Sequence, residues 1–201
     1  MADEPILQTL AVSTGLWNLF DNARIAVLVL LLARELHLSA GAIGLVFAVG
    51  GIGFVLSTLF PARAARRFGL GRAIVGGIIG VIPGGLLIAA AGGSAPVGGG
   101  LVAAGLFLEG LAVPIYDVNQ FNLRQAVTPD HLRGRVNASV RVLIRGTLPL
   151  GALIGGTLAG AIRVRAVLLL AACGPVVALG IIWRSPVRTL REPPEPAAIA
   201  T

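Results

Sequence analysis

The chain has 201 residues, of which 56% are hydrophobic and only 12% are charged, and its mean hydropathy is +0.89. Soluble domains have about 25% charged residues, so this composition excludes an ordinary water-soluble globule and predicts a membrane protein. The net charge of +7 comes from sixteen basic residues, all arginine, which lie in short clusters between apolar runs. This distribution argues against nucleic-acid binding, which needs a continuous basic patch.

Six apolar stretches are long enough to cross a bilayer as helices, which takes about 20 residues each. Their approximate bounds are 10–32, 40–60, 73–91, 100–122, 136–162 and 166–183. The sequence therefore predicts an all-α membrane protein in three parts. These are a cytoplasmic segment over 1–9, a six-helix transmembrane bundle over 10–183 and a disordered cytoplasmic tail over 184–201.

The arginines outside the spans predict how the bundle is oriented. Ten flank one set of span ends, at Arg63, Arg66, Arg67, Arg72, Arg124, Arg133, Arg135, Arg184, Arg188 and Arg191. Only Arg34, Arg163 and Arg165 flank the other set. Because arginine accumulates on the cytoplasmic side of membrane proteins, we expect both termini and the two basic loops in the cytoplasm.

Glycine recurs every fourth residue in two of the spans. The rows are Gly76, Gly80 and Gly84 in the third span, and Gly151 and Gly155 in the fifth. Such rows let helix backbones approach closely in lipid, so they predict packing surfaces.

Polar and ionisable residues interrupt three of the spans. They are Asn18, Asp21, Asn22 and Arg24 in span one, Glu109, Tyr116, Asp117, Asn119 and Gln120 in span four, and Arg141 and Arg145 in span five. An ionisable group at membrane depth costs about 2.5–3.5 kcal/mol on insertion scales. We therefore expect these groups to face the bundle interior or an aqueous cavity, where they are candidates for a substrate or proton pathway.

Counting about 1.5 Å per residue along each helix places three pairs of acid and arginine at matching depths. The pairs are Asp117 with Arg141, Asp21 with Arg145, and Glu109 with Arg24. Two interpretations stay open: the charges neutralise one another and fix the helix register, or at least one of them takes part in the function. Arg141 and Arg145 share a helix face and would suit an anionic group where no acid neutralises them.

The sequence contains no motif of a soluble enzyme, such as HExxH, GxSxG, a Walker loop or CxxC. Cys173 is the only cysteine, so the chain can form neither an internal disulfide nor a zinc site made of cysteines. We therefore predict that the protein is not an enzyme and uses no cofactor or metal. A membrane-embedded enzyme is a weak alternative, because it needs a convergent catalytic cluster.

Two stretches resemble a known family. "FNLRQAVTPDHLRGRVNASVRVLIRGTLPLGALIGGTLAG", residues 121–160, is similar to the junction of the fourth and fifth helices in the C-terminal half of major facilitator superfamily exporters. Its "AVTPDHLRGRV" step and "PLGALIGG" are most similar to the branch that includes enterobactin and macrolide exporters. "PARAARRFGLGR", residues 61–72, resembles that family's basic loop between helices eight and nine, with Arg66 where an acid is common. The resemblance makes Arg63, Arg66, Arg67 and Arg72 gating-loop candidates.

The resemblance covers about residues 8–184 and implies that the six spans are helices seven to twelve of a twelve-helix transporter. It implies an inverted three-plus-three repeat in which spans one and four line the central cavity. It further implies export of a drug or siderophore from the bacterial inner membrane by alternating access, as an antiporter driven by protons. Asp21, Glu109 and Asp117 are then the proton-carrying or substrate-facing candidates.

Such a transporter holds its substrate between two halves, and the chain resembles only one of them. Besides the lipid bilayer, a small-molecule substrate and protons, the resemblance therefore implies a missing N-terminal half, or self-association as a homodimer. Two alternatives remain. One is a non-transporting six-helix scaffold or assembly partner, whose charges are structural. The other is a truncated, inactive fragment.

Overall fold

Six long helices dominate residues 4–192, the part of the chain that the computed structural model describes. All six are long and apolar enough to cross a membrane, which confirms the predicted all-α membrane fold. They are α1 (Glu4–Leu30), α2 (Ala40–Ser57), α4 (Leu70–Ala90), α5 (Ala95–Val127), α6 (Arg133–Ala161) and α7 (Val164–Trp183), with a shorter helix α3 (Pro61–Phe68) between α2 and α4.

The helix α1 is longer than the sequence predicts. It begins at Glu4 rather than near residue 10, because Ile6 is buried in the core and holds the first turn against the bundle. At its other end a π-helical turn over Leu31–Glu35 continues the helix. The first candidate span therefore covers 31 residues, Pro5–Glu35, more than the minimum for crossing a bilayer.

The helix α5 also continues beyond its predicted end, by about one turn. Leu123 and Val127 lie four residues apart on one face and are both buried, so they hold this last turn in the core. Arg124 is buried beside them. The long loop predicted over 123–135 is consequently reduced to residues 128–132, which contain one 3₁₀ turn.

The basic stretch between the second and third spans forms the helix α3 rather than a plain loop. Pro61 begins the helix, where the N–H that proline lacks has no partner within the helix. Gly69 follows its end with φ 88°, a left-handed conformation that glycine adopts without strain. The gating-loop candidates are all exposed here, Arg63, Arg66 and Arg67 on α3 and Arg72 on the first turn of α4.

The segment after α7 packs against the start of α4. Val187 in this segment is fully buried in the core. The N–H groups of Leu70 and Gly71 donate to carbonyl oxygens of the segment at 3.1 and 2.8 Å, so the segment caps the first turn of α4. Over 184–192 the structure thus differs from the predicted disordered tail, because an apolar anchor and backbone hydrogen bonds hold it. Residues 193–201 of that tail lie outside the described residues.

The helices pack as two groups of three with the same internal arrangement. In one group α1 packs against α6 and α7, and in the other α5 packs against α2 and α4. The groups meet where α4 packs against α7. Exchanging the first three spans for the last three leaves this pattern unchanged. Equivalent helices are three spans apart in chain order, an odd step, so they cross the membrane in opposite directions, as in an inverted repeat.

Glycines provide the closest approaches between these helices. As predicted, Gly80 and Gly84 on α4 face α5, and Gly151 and Gly155 on α6 face α1. A Cβ atom on Gly84 would lie only 2.6 Å from the carbonyl oxygen of Gly105 on α5. Gly76, the remaining member of the predicted rows, faces open space instead.

Candidate functional site

A cavity of about 140 Å³ lies between α1, α4 and α5. Its polar lining consists of Asn18, Asp21, Arg24, Glu109, Tyr116 and Asp117. Trp17, Val81 and Val113 complete the wall. Six of the eleven residues predicted for a substrate or proton pathway therefore meet at one place, and they come from the two helices that begin the two repeats.

Arg24 is the centre of the charged cluster. Its Nη2 donates to Asp21 Oδ1 at 2.6 Å, and its Nη1 lies 2.9 Å from Glu109 Oε2. The second contact is an ion pair without hydrogen-bond geometry, because Nη1 has no hydrogen-bond partner among the described residues. The side chains of Arg24 and Glu109 are only 11% and 9% exposed, whereas Asp21 is 32% exposed. The arginine thus links α1 to α5 inside the bundle.

One of the three depth-matched pairs is present. Glu109 contacts Arg24 as predicted, but Asp21 also pairs with Arg24 instead of Arg145. Asp21 and Arg24 are three residues apart and share one face of α1, so the nearer partner is on the same helix. Asp117 lines the cavity without an arginine within 4.0 Å among residues 4–192.

Glu109 reaches this position because α4 presents glycine to it. A Cβ atom on Gly84 would lie 2.7 Å from Glu109 Cγ, and one on Gly85 would lie 3.6 Å from Glu109 Oε1. Without side chains on this face of α4, the carboxylate can lie between α4 and α5, directed toward α1. The glycine row therefore shapes the site as well as the packing of the helices.

Two aromatic rings form the side of the cavity next to the charges. The ring centroids of Trp17 and Tyr116 are 4.5 Å apart with an angle of 38° between the rings. The Tyr116 hydroxyl shares a hydrogen bond of 2.9 Å with the hydroxyl of Thr14. Both rings are held by α1 and α5, so the site combines carboxylates with a rigid aromatic surface.

Three of the predicted polar residues connect helices or turns instead of lining the cavity. Asn22 Nδ2 donates to Thr147 Oγ1 at 3.3 Å and joins α1 to α6. Asn119 Nδ2 donates to the carbonyl oxygen of Pro61 at 3.2 Å and joins α5 to α3. Gln120 Oε1 accepts from Arg124 within α5 at 3.2 Å, away from the cavity.

Arg141 and Arg145 lie outside the cavity and are exposed on α6. No carboxylate among residues 5–192 lies within 4.0 Å of either guanidinium group. Thr147 and Gly151 face α1, and each follows one of these arginines by six residues, or about 120° around the helix. The packing of α6 on α1 therefore directs both arginines away from the acids of this bundle.

Two residues near the site are absent from the sequence-based candidates. Trp17 precedes Asp21 by four residues, so the helical period places it on the same face and could have identified it. Arg124, which the hydropathy pattern puts in a loop, is buried on α5, where its Nε has no hydrogen-bond partner in the part of the chain that the structure describes. Its position follows from the length of α5, which that pattern does not reveal.

Comparison with known protein families gives one match. A family model described as Major Facilitator Superfamily matches residues 10–200, which is nearly the whole chain. No curated protein matches the chain.

Proposed function

Because the chain belongs to the Major Facilitator Superfamily, we propose that it is the C-terminal six-helix half of a proton-coupled exporter, in the branch of enterobactin and macrolide exporters. The family and the six spans make the chain a multi-pass membrane protein in contact with lipid, and a part of a small-molecule transporter. The half, the branch, export and proton coupling are inferences from the sequence resemblance and from the charged cavity.

The shared arginine carries the proposed mechanism. Arg24 on α1 is bound at once by Asp21 on the same helix and by Glu109 on α5. When Glu109 takes up a proton its charge is lost, and Arg24 keeps only its intrahelical partner. The ion pair that connects the two repeats then weakens, which gives proton binding a direct influence on how α1 and α5 move. Loss of the proton restores the connection.

Alternating access needs a second wall for the substrate site. In the proposed arrangement another six helices supply it, as the N-terminal half of a longer protein, as a separate chain or as a second copy. The exposed arginines Arg141 and Arg145 on α6 and the largely exposed helix α2 are then available to that second half. The rocking of the two halves carries the substrate across.

The arginine distribution supports an orientation and a location. In the proposed topology the ends of the spans that carry ten arginines, together with both termini, lie in the cytoplasm. The helix α3 and the capping segment after α7 then lie at the cytoplasmic surface. The resemblance to bacterial exporters supports a bacterial inner membrane as the location, with the six-helix bundle as the proposed functional domain.

The test is transport by the complete transporter in inverted membrane vesicles, with a labelled macrolide and a labelled catecholate siderophore as probes. Asp21→Asn, Glu109→Gln and Asp117→Asn are measured for uptake driven by an imposed pH gradient and for exchange of substrate without a gradient. We expect at least one variant to lose gradient-driven uptake while exchange continues, because proton coupling is lost and binding is kept.

Glu35→Gln is the matched control, because Glu35 lies outside the cavity and forms its ion pair with Arg165 at 3.4 Å. It should retain gradient-driven uptake. If all three cavity variants transport like the wild type, the acids only neutralise Arg24 and fix the helix register. Proton coupling at this site is then excluded, whereas a wild type without substrate-dependent flux would favour the non-transporting scaffold.

A further inference from the structure

A second and larger cavity, of about 520 Å³, lies where α4 begins and the segment after α7 crosses it. One part of its wall is basic, with Arg72, Arg188 and Arg191. Another part is apolar, and includes Phe68, Ile79 and Trp183. This cavity is formed on the outer side of α4 and shares no residue with the charged cavity between α1, α4 and α5.

The three arginines of this second cavity give its basic wall a positive charge. Among residues 5–192, no carboxylate lies within 4.0 Å of any of them. Arg188 lies over the Trp183 ring, 5.5 Å from its centroid, so the ring holds the guanidinium at the cavity. Guanidinium groups suit phosphate because they can donate two parallel hydrogen bonds. The basic wall therefore offers uncompensated charge to an anion.

The apolar wall runs along the membrane-spanning part of α4. Arg72 lies in the first turn of α4, and Ile79 lies seven residues further, or about 10 Å deeper. Gly76 lies between them, and a Cβ atom there would meet nothing within 4 Å, so a groove connects the two levels. Trp183 ends α7 and is 51% exposed, a position typical of tryptophan at the membrane surface.

We infer that this cavity binds an anionic phospholipid, with the phosphate at the arginines and an acyl chain along Gly76 and Ile79. A soluble phosphate compound would leave the apolar groove empty, whereas a phospholipid fills both parts. The site rests on the membrane location and the proposed orientation of the chain, and it stands apart from the proposed export and proton coupling. Basic pockets at the cytoplasmic ends of helices are suited to acidic lipid headgroups.

The test uses the full-length protein in phosphatidylcholine vesicles that contain a brominated lipid, which quenches tryptophan at close range. Quenching is measured against the unbrominated form of the same lipid, and the part that Trp183→Phe removes is assigned to the cavity. Brominated phosphatidylglycerol should quench more strongly than brominated phosphatidylcholine at equal mole fraction. Equal quenching by the two lipids would overturn the inference.

Arg188→Gln tests the basic wall, and Arg184→Gln is its control, because Arg184 is exposed at the end of α7, four residues before Arg188, but does not line the cavity. We expect about a fivefold lower relative affinity for phosphatidylglycerol in Arg188→Gln, and a larger loss with Arg191→Gln added. No change in Arg184→Gln is expected. An equal loss in all variants would mean general surface attraction and no site.

Gly76→Leu tests the groove without removing a charge, and Gly100→Leu on α5 is its control, because neither Cβ would meet an atom within 4 Å. Only Gly76→Leu should lower quenching by brominated phosphatidylglycerol. Soluble glycerol phosphate distinguishes the two sources of a phosphate group. If it displaces the brominated lipid at millimolar concentration, or if Gly76→Leu has no effect, the cavity takes a soluble anion and the lipid assignment is wrong.

Discussion

Arg24 balances the buried charges at the centre of the bundle. Its guanidinium group neutralises two acids from two helices, and it is only 11% exposed, so its own charge is largely removed from water. Removing one member of a buried ion pair leaves an uncompensated charge. In this cluster the loss of the arginine would leave two such charges, because Asp21 and Glu109 both depend on it.

We predict that Arg24→Gln lowers the free energy of unfolding by about 3–5 kcal/mol, the range for breaking a buried ion pair. Adding Glu109→Gln should restore part of the loss, because the buried acid on α5 then carries no charge. The measurement is denaturant unfolding in detergent micelles followed by circular dichroism. The exposed Arg135 is a control, and Arg135→Gln should stay within about 0.5 kcal/mol. An unchanged wild-type stability in Arg24→Gln would contradict a structural role for the pair.

The sequence predicts the residues of this cluster better than their pairing. Matching depths identify Glu109 with Arg24, because rise along the axis can be counted from the sequence. The same count also pairs Asp21 with Arg145, but in the structure Asp21 pairs with Arg24. Depth fixes one coordinate only, and the rotation of α6 follows from its glycine face against α1. To predict that rotation, one must know which helices are in contact.

At the scale of elements, the interface of α4 and α5 depends on glycine. We predict that Gly84→Ala destabilises the protein by about 1–3 kcal/mol, because its Cβ would lie 2.6 Å from the Gly105 carbonyl oxygen and force the helices apart. Gly156→Ala on α6 should have the opposite sign and stabilise by about 0.5–1 kcal/mol, since its Cβ meets nothing within 4 Å. The same unfolding measurement distinguishes the two variants. If both substitutions changed stability in the same direction, the free space around the glycine would not decide the effect.

The segment after α7 gives a second prediction at this scale. Val187→Ala removes two buried methyl groups and should cost about 2 kcal/mol of unfolding free energy. Val176→Ala, at a position that is 50% exposed on α7, should change stability by less than about 0.5 kcal/mol. Equal effects of the two substitutions would mean that Val187 does not anchor the segment in the folded protein.

Hydropathy predicts all six membrane spans, because twenty consecutive apolar residues are a strong local signal. It does not predict α3 or the packing of the segment after α7. Both are short and rich in arginine, and helices distant in sequence hold them: α5 contacts α3, and α4 contacts the segment after α7. Local composition alone therefore predicts a loop where α3 forms and a disordered tail after α7. The end of α5 has the same explanation, since Leu123 and Val127 depend on tertiary contacts.

For the whole molecule, the orientation in the membrane can be measured directly. In a background with Cys173→Ala, we predict that Ala62→Cys on α3 reacts with a membrane-impermeant maleimide only in inverted vesicles. Ser94→Cys, which precedes α5, should react only in right-side-out vesicles. Both positions are exposed, so accessibility depends on the side of the membrane. The reverse pattern would place the arginine-rich ends outside the cell, against the positive-inside rule.

The cap on α4 has a consequence for the order in which the protein is made. The N–H groups of Leu70 and Gly71 bind carbonyl oxygens of residues that follow roughly 120 positions later in the chain. At about 5–20 residues per second, the ribosome needs on the order of 6–24 s to reach them after α4 begins to emerge. During that interval α4 is inserted with its first turn unfinished. Completion of that turn marks the end of synthesis of the bundle, and any chain released early lacks it.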